Sequence, residues 1–330
     1  MVRLGSDAPH LRLHGGAAAP APLQRGTYLF GGFECAYRRK PAAPGFEGKP
    51  PVLLIHPLGI GLSSWFFDPF LEQWNGSEVW VPDLIGCGAS EAWVPDQRTL
   101  AVPEDYVRSL EALWRDEIRR PMVVLSQGGL APLAIRLAAQ ESSTFQGSRA
   151  VRGLVLASPP EWQTITDGLS EAEVQRNFER LGATLGSPSA LGTLGYRALC
   201  ARPFVRFFSD QFLFAEAADA RFVDACCELA RPSRRWPVLA FNAGLVGQRG
   251  LGDELRRLRQ PTLVLAGETE GKPLSDDGRG YEQAMQNAQV RKLAGRNVLP
   301  WESTSATCEA VLSFVDSVSG AGLRWGGGVA

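Results

Sequence analysis

Ser126 is the side chain of this sequence whose type and neighbours most directly predict chemistry. It follows an apolar run at 122–125 and precedes Gln127, Gly128 and Gly129, after which helical periodicity begins. A sharp turn from a buried strand into a helix raises one side chain above the sheet, beside the free N–H groups of the helix N-terminus. Those groups would stabilise an oxyanion, so the pattern predicts a serine nucleophile at 126, with Gln127 as the alternative residue at the tip.

Three segments of the chain resemble motifs of the α/β-hydrolase family. The turn at Ser126 resembles the family's G-x-S-x-G elbow, with Val124 where the first glycine stands. Residues 55–61 resemble its H-G-x-x-G loop, and residues 83–90 resemble its D-x-x-G-x-G-x-S loop. The resemblance implies an α/β-hydrolase fold, in which a mostly parallel central sheet has helices on both faces and carries an inserted helical cap.

The resemblance also implies roles for residues in these loops. In the family a backbone N–H just past the H-G pair completes the oxyanion hole, and here that N–H belongs to Leu58, with Gln127 as the second donor. Pro57 replaces the usual glycine and has no N–H to donate. We include His56 with Leu58 and Gln127 among the oxyanion and substrate-binding residues, and we expect it to brace this loop rather than to act as a general base. We expect Asp83 to cap backbone N–H groups in the next loop.

The acidic member of the family's catalytic triad is less clearly matched. After the strand at 262–266 the family has G-x-x-D, and here Glu270 takes the place of that aspartate. Glu161 is a second candidate, because some members carry the acid after the preceding strand. Asp276 and Asp277 are weaker candidates, and a solvated surface carboxylate is the alternative interpretation of each.

Asn297 occupies the place where the family has its catalytic histidine. The three histidines of the chain are His10, His14 and His56, and none follows residue 56. A serine hydroxyl needs an adjacent base that takes its proton and returns it to the leaving group, and asparagine can do neither. The sequence therefore predicts a site that can hold a polarised oxygen but lacks the usual group for proton transfer.

Two functions remain open at this point. The first is a hydrolase that acts on a small apolar ester, thioester or related carbonyl compound through Ser126, with Glu270 or Glu161 as an unusual helper. The second is a catalytically inactive member of the fold that binds a small apolar molecule under the cap, or a protein partner. An aromatic cluster in the cap favours an apolar ligand, with a lid core as the alternative; its members are Phe204, Phe207, Phe208, Phe212 and Phe214.

Short apolar runs alternate with helical periodicity along most of the chain, which indicates a parallel sheet with helices on both faces. The predicted strands are 51–55, 79–81, 122–125, 151–157, 262–266 and 290–293. The predicted helices are 104–118, 130–139 and 305–318.

The domain organisation follows from where this alternation stops. A capping box at Ser170 and Glu173 opens a helical segment, and we assign 160–245 to the cap. The core then comprises 26–159 and 246–318. Residues 1–25 are predicted to be a disordered tail, with a targeting peptide as the minority interpretation, and 319–330 a second loose tail.

Composition limits the partners of the chain. It has 330 residues, of which 45% are hydrophobic and 21% charged, with a formal net charge of −1, so we expect no nucleic-acid partner. No apolar stretch is long enough for a membrane span, and six scattered cysteines favour reduced thiols in the cytoplasm. We expect no cofactor and no metal, because no nucleotide-binding glycine loop and no ligand spacing is present.

Overall fold

Apolar runs form a single large sheet in the computed structural model, which describes residues 22–140, 144–145, 148–268 and 278–320. Its eight strands over these residues are β1 (Gln24–Phe30), β2 (Phe33–Lys40), β3 (Val52–Ile55), β4 (Val79–Pro82), β5 (Met122–Gln127), β6 (Val151–Ala157), β7 (Thr262–Glu268) and β8 (Ala288–Ala294). A separate two-stranded hairpin joins Thr144–Phe145 to Ser148–Arg149.

The strand order is β1-β2-β4-β3-β5-β6-β7-β8. Strand β2 pairs antiparallel with both of its neighbours, β1 and β4, and the strands β3 to β8 are parallel to one another. The predicted mostly parallel sheet is therefore confirmed. Because parallel strands end at a common edge, the loops after β3, β4, β5 and β6 meet at the carboxyl edge, where the site is built.

Helices cover both faces of the sheet. Because successive side chains of a strand point to opposite faces, the buried apolar residues form two clusters, one on each face. Val124 and Leu154 belong to the cluster on one face, and Val123 and Val155 to the cluster on the other. The first face is covered mainly by α2 (Glu104–Leu113) with its π-helical extension (Trp114–Ile118), and by α3 (Ala131–Ala139). The second face is covered by α1 (Asp68–Gln73) and by α13 (Thr304–Ser319).

Residues 158–261, all of which are described, connect β6 to β7 and are mainly helical. The helices are α4 (Trp162–Asp167), α5 (Glu171–Leu181), α6 (Ala190–Leu199), α7 (Arg202–Phe208), α8 (Ala220–Leu229), α9 (Arg235–Ala243) and α10 (Gly252–Arg257). The predicted capping box is present, because Ser170 Oγ accepts from Glu173 N–H and the Glu173 carboxylate accepts from Ser170 N–H. After β7 the chain adds α11 (Arg279–Ala284) and α12 (Leu299–Glu302).

The boundaries of the predicted elements differ from the structure by a few residues. The predicted helix 104–118 changes from α-helical to π-helical geometry after Leu113. The first strand begins at Gln24, inside the predicted N-terminal tail, because its residues pair with β2 as a hairpin. Most of that tail, and residues 321–330 of the second, lie outside the described residues. Within the described parts, no helix is long and apolar enough to cross a membrane.

Candidate functional site

Gly128, and not Ser126, is the residue at the tip of the elbow. Strand β5 continues through Ser126 to Gln127, and the chain then enters a short 3-10 helix, Gly128–Leu130, which leads into α3. Gly128 has a backbone φ of +60°, the left-handed conformation that a side chain disfavours. Gln127 has ordinary extended geometry.

Ser126 lies inside the sheet. It pairs with Ile55 of β3 on one side and with Leu156 of β6 on the other, and it is fully buried. Its Oγ makes no hydrogen bond within the described structure. The predicted placement of Ser126, or alternatively Gln127, at the tip therefore disagrees with the geometry. The elbow turns two residues later than the prediction placed it.

The sequence did contain a signal for this register. In the elbow pattern the small residue comes two positions before the tip, and Val124 was a poor match for it. A shift of two residues puts Ser126 in that small position and Gly128 at the tip, where glycine tolerates the positive φ. A Cβ built on Gly128 would have no heavy atom within 4 Å, so the space in front of the tip is open.

His56 braces the loop after β3. Its Nε2 accepts a hydrogen bond from Leu84 N–H at 3.0 Å, and its Nδ1–H donates to the Pro57 carbonyl at 2.9 Å. The ring is fully buried. Burial lowers its pKa, against the opposing influence of the Asp83 charge, so the imidazole is neutral. Both ring nitrogens are engaged and His56 does not line the cavity described below, so its predicted inclusion among substrate-binding residues is not supported.

Asp83 organises the loop after β4. One carboxylate oxygen accepts from Ser64 N–H at 2.7 Å, and the other accepts from Ala89 N–H at 2.8 Å. Ser90 Oγ donates to the Asp83 carbonyl at 2.6 Å. Gly88 is required here, because a Cβ at this position would lie 2.3 Å from the carboxylate. The expected capping role of Asp83 agrees with these contacts, which tie the β3 and β4 loops together.

A cavity of about 480 Å³ lies between the elbow and the cap. The core contributes Leu58, Gln127 and Gly128, and no charged side chain lines the cavity within the described structure. This volume and its mainly apolar lining are typical of small-molecule sites, which span roughly 300–1,000 Å³. From the cap, Phe241 lies over the elbow, because a Cβ on Gly129 would meet its ring at 2.6 Å.

The aromatic cluster of the cap divides between three environments. Phe204 and Phe208 line the cavity. Phe214 is buried and packs against the ring of Phe222 at 5.2 Å. Phe207 and Phe212 are 59% and 50% exposed and do not line the cavity. The cluster therefore contributes to the cavity wall through Phe204 and Phe208 and to the core of the cap through Phe214.

Asn297 lies beside the elbow, as its alignment with the histidine position implied. Gln127 Nε2 donates to the Asn297 carbonyl at 2.5 Å, and both residues line the cavity. Asn297 Nδ2 donates to the Phe212 carbonyl at 2.5 Å, and Asn297 N–H donates to the Leu213 carbonyl at 3.0 Å. Asn297 therefore connects the core to the cap and supplies no titratable group.

Of the predicted acids, only Glu161 is among the described residues, and it does not lie at the elbow. Glu161 is exposed at the N-terminus of α4 and does not line the cavity. Glu270, Asp276 and Asp277 lie outside the described residues, as do His10 and His14. Ser158, which the sequence reasoning missed, lines the cavity at the end of β6, where its Oγ donates to the Arg296 carbonyl at 3.0 Å.

Comparisons with known proteins agree with this architecture. The sequence profile of the alpha/beta hydrolase family matches residues 52–311, and the chain belongs to this family. No curated protein sequence matches it.

Several solved structures share the fold of this chain. A proline iminopeptidase from Mycobacterium smegmatis has a TM-score of 0.62 at 18% identity, covering 90% of this chain and 99% of its own. A thermophilic esterase from Thermogutta terrifontis has a TM-score of 0.64 at 18% identity, covering 90% and 100%. A haloalkane dehalogenase from Agrobacterium tumefaciens has a TM-score of 0.62 at 15% identity, covering 90% and 97%. At these low sequence identities, the structural similarity shows a shared fold and nothing more specific.

Proposed function

We propose that this member of the α/β-hydrolase family binds a small apolar molecule under its cap and does not hydrolyse it through a serine nucleophile. The observation that carries the proposal is the glycine at the tip of the elbow. A nucleophile must stand where its oxygen can reach a bound carbonyl, and Gly128 presents only hydrogen there.

The hydrolase alternative, turnover of an ester or thioester through Ser126, has weaker support. The Ser126 side chain is enclosed in the sheet and does not line the cavity. The residue at the histidine position, Asn297, cannot take a proton, and the pKa of His56 is lowered by burial behind the loop.

The polar groups around the elbow favour a ligand with a hydroxyl group. We assign the backbone N–H groups of Leu58 and Gly129 as donors, with Gly129 in place of Gln127 because the tip is at Gly128. Gln127 Oε1 is buried and has no hydrogen-bond partner within the described structure. A hydroxyl complements this set, since its oxygen accepts from N–H groups while its hydrogen donates to a carboxamide oxygen. The space left open in front of Gly128 accommodates it.

Ligand binding tests the positive half of the proposal. Calorimetric titration with dodecanol should give saturable binding. Dodecyl methyl ether, which cannot donate, should bind about tenfold more weakly, as expected for one lost hydrogen bond at a buried acceptor. In Gln127→Met the two ligands should bind equally, because the acceptor is gone. Failure of dodecanol to bind would overturn the binding function.

Chemical labelling tests the negative half. A fluorophosphonate probe should leave the wild-type protein unlabelled, and a panel of short esters should hydrolyse at the rate of buffer. Labelling that disappears in Ser126→Ala would refute the proposal and restore the hydrolase alternative.

A further inference from the structure

Arg235 is a buried cation without a counter-ion in the described structure. It begins α9 in the cap and is only 8% exposed. Its Nε and Nη1 atoms have no hydrogen-bond partner, and no carboxylate of a described residue forms an ion pair with it. A buried charge that is neither paired nor fully hydrogen-bonded is costly, and removal of a partner from a buried pair produces this situation. The described residues therefore supply no counter-ion for Arg235.

The position of Arg235 connects it to the cavity. Residues 235, 238, 239 and 242 repeat at helical spacing and form one face of α9. Val238, Leu239 and Asn242 of this face line the cavity. Tyr196 also lines it, and the Arg235 charge opposes the effect of burial, which raises the pKa of Tyr196. Arg235 therefore lies on the face of α9 that borders the cavity, although its own side chain does not line the cavity.

A second pocket, of about 280 Å³, adjoins the cavity at this side. Gly59, Leu62, Tyr196 and Val238 line both spaces. Arg231 and Arg234 line only the second, which we call the arginine pocket.

The two lining arginines keep their positive charge available. Each donates to backbone carbonyls, Arg231 to those of Glu228 and Ala230 and Arg234 to that of Ser90, and neither forms an ion pair with a described carboxylate. The nearby Asp83 carboxylate is occupied by the N–H groups of Ser64 and Ala89.

We propose that the ligand is an amphiphilic anion whose chain occupies the apolar cavity and whose carboxylate or phosphate group lies in the arginine pocket, contacted by Arg231 and Arg234 and attracted by the charge of Arg235. This inference rests on the proposed function and adds the chemical class of the ligand. Guanidinium groups suit both anions, because they donate in pairs to planar carboxylate and to phosphate oxygens.

Three ligands that share one hydroxyl end test the inference: dodecanol, ω-hydroxydodecanoate and ω-hydroxydodecyl phosphate. The wild-type protein should bind at least one of the anions about tenfold or more tightly than dodecanol, the gain expected from one charge-assisted hydrogen bond. The tighter of the two anions identifies the headgroup. In the double variant Arg231→Gln/Arg234→Gln the preference should fall to near unity while dodecanol binding is unchanged.

Two controls separate a binding role from a structural one. Arg176→Gln, an exposed cap arginine that lines neither space, should keep the full preference for the anion. Arg235→Met should lose part of the preference while the ligand-free protein keeps or gains thermal stability, because an unpaired buried charge is removed.

The outcomes distinguish the two proposals. If dodecanol binds and neither anion binds better, or if the preference survives in the double variant, the anionic ligand is refuted and the apolar binding function stands. If none of the three ligands binds, the binding function itself fails.

Discussion

Gly128 adopts a φ of +60° where β5 turns toward α3, and the space in front of it is open. Gly128→Ser should fold at a cost of about 1–2 kcal/mol for a side chain in the left-handed region. The new hydroxyl should weaken dodecanol binding by occupying its site. The single variant should hydrolyse no ester, because none of the described residues supplies a base beside position 128. Titration calorimetry and an ester panel measure both effects.

Adding a base at position 297 extends this test. Asn297 lines the same cavity as Gly128 and contacts Gln127 through its carbonyl. The double variant Gly128→Ser/Asn297→His should therefore react with a fluorophosphonate probe, as measured by mass spectrometry. Adding Ser126→Ala to this background should leave the labelling unchanged. Loss of labelling on that third change would show that Ser126, not residue 128, is the reactive position.

Ser126 and Ser158 give a matched pair for stability. Ser126 Oγ is buried without a partner in the described structure, whereas Ser158 Oγ donates to the Arg296 carbonyl at 3.0 Å. Ser126→Ala should leave the free energy of unfolding unchanged or raise it, because an unsatisfied hydroxyl is removed. Ser158→Ala should lower it by about 1 kcal/mol. Urea titrations measure both, and equal losses in the two variants would contradict the assignment of Ser126 as an unpartnered group.

At the scale of elements, the loop after β3 depends on a neutral histidine. The pKa of His56 is lowered in the folded protein, chiefly by burial, from its ordinary value of 6.5. Below that pH the unfolded chain binds a proton that the native imidazole resists, so stability is retained above about pH 6.5 and falls as the pH decreases. The slope from this one group is at most about 1.4 kcal/mol per pH unit.

Comparison with His56→Gln isolates this contribution. The free energy of unfolding, measured by urea titration between about pH 5 and pH 7, should fall less steeply in the variant than in the wild type. His10 and His14 are present in both proteins, so their contributions cancel. Identical slopes would show that His56 is not protonated differently in the folded and unfolded states.

Most elements could be predicted because their signals are local. Strand β6 was expected at 151–157 and is found at Val151–Ala157, since a short apolar run between turn residues specifies a buried strand. The elbow was harder, because two adjacent glycines and a serine allow more than one register. The contact of Gln127 with Asn297 joins residues 170 positions apart, and no local pattern specifies such a contact. The lack of an ion-pair partner for Arg235 among the described residues likewise could not be predicted, because it depends on which residues the fold packs around the guanidinium.

At the scale of the whole molecule, the cap and the sheet share one apolar cluster. Phe222 of α8 is 1% exposed, and its ring lies 5.2 Å from that of Phe214 in the cap. The same ring lies 5.3 Å from Trp301 and 5.8 Å from Trp65, both in the core. The cavity thus lies under a cap that is packed on the core through buried aromatic contacts.

This shared cluster predicts that cap and core unfold together. Phe222→Ala should lower the free energy of unfolding by about 3–5 kcal/mol, the usual cost of truncating a buried phenylalanine, and should weaken dodecanol binding because Phe222 also lines the cavity. Urea unfolding followed by tryptophan fluorescence and by circular dichroism should still give one coincident transition. Phe207→Ala, at a position that is 59% exposed, should change stability by no more than about 0.5 kcal/mol. Two separated transitions in the wild-type protein would show instead that the cap folds independently. Its packing on the core would then contribute little to the stability of the cap or of the core.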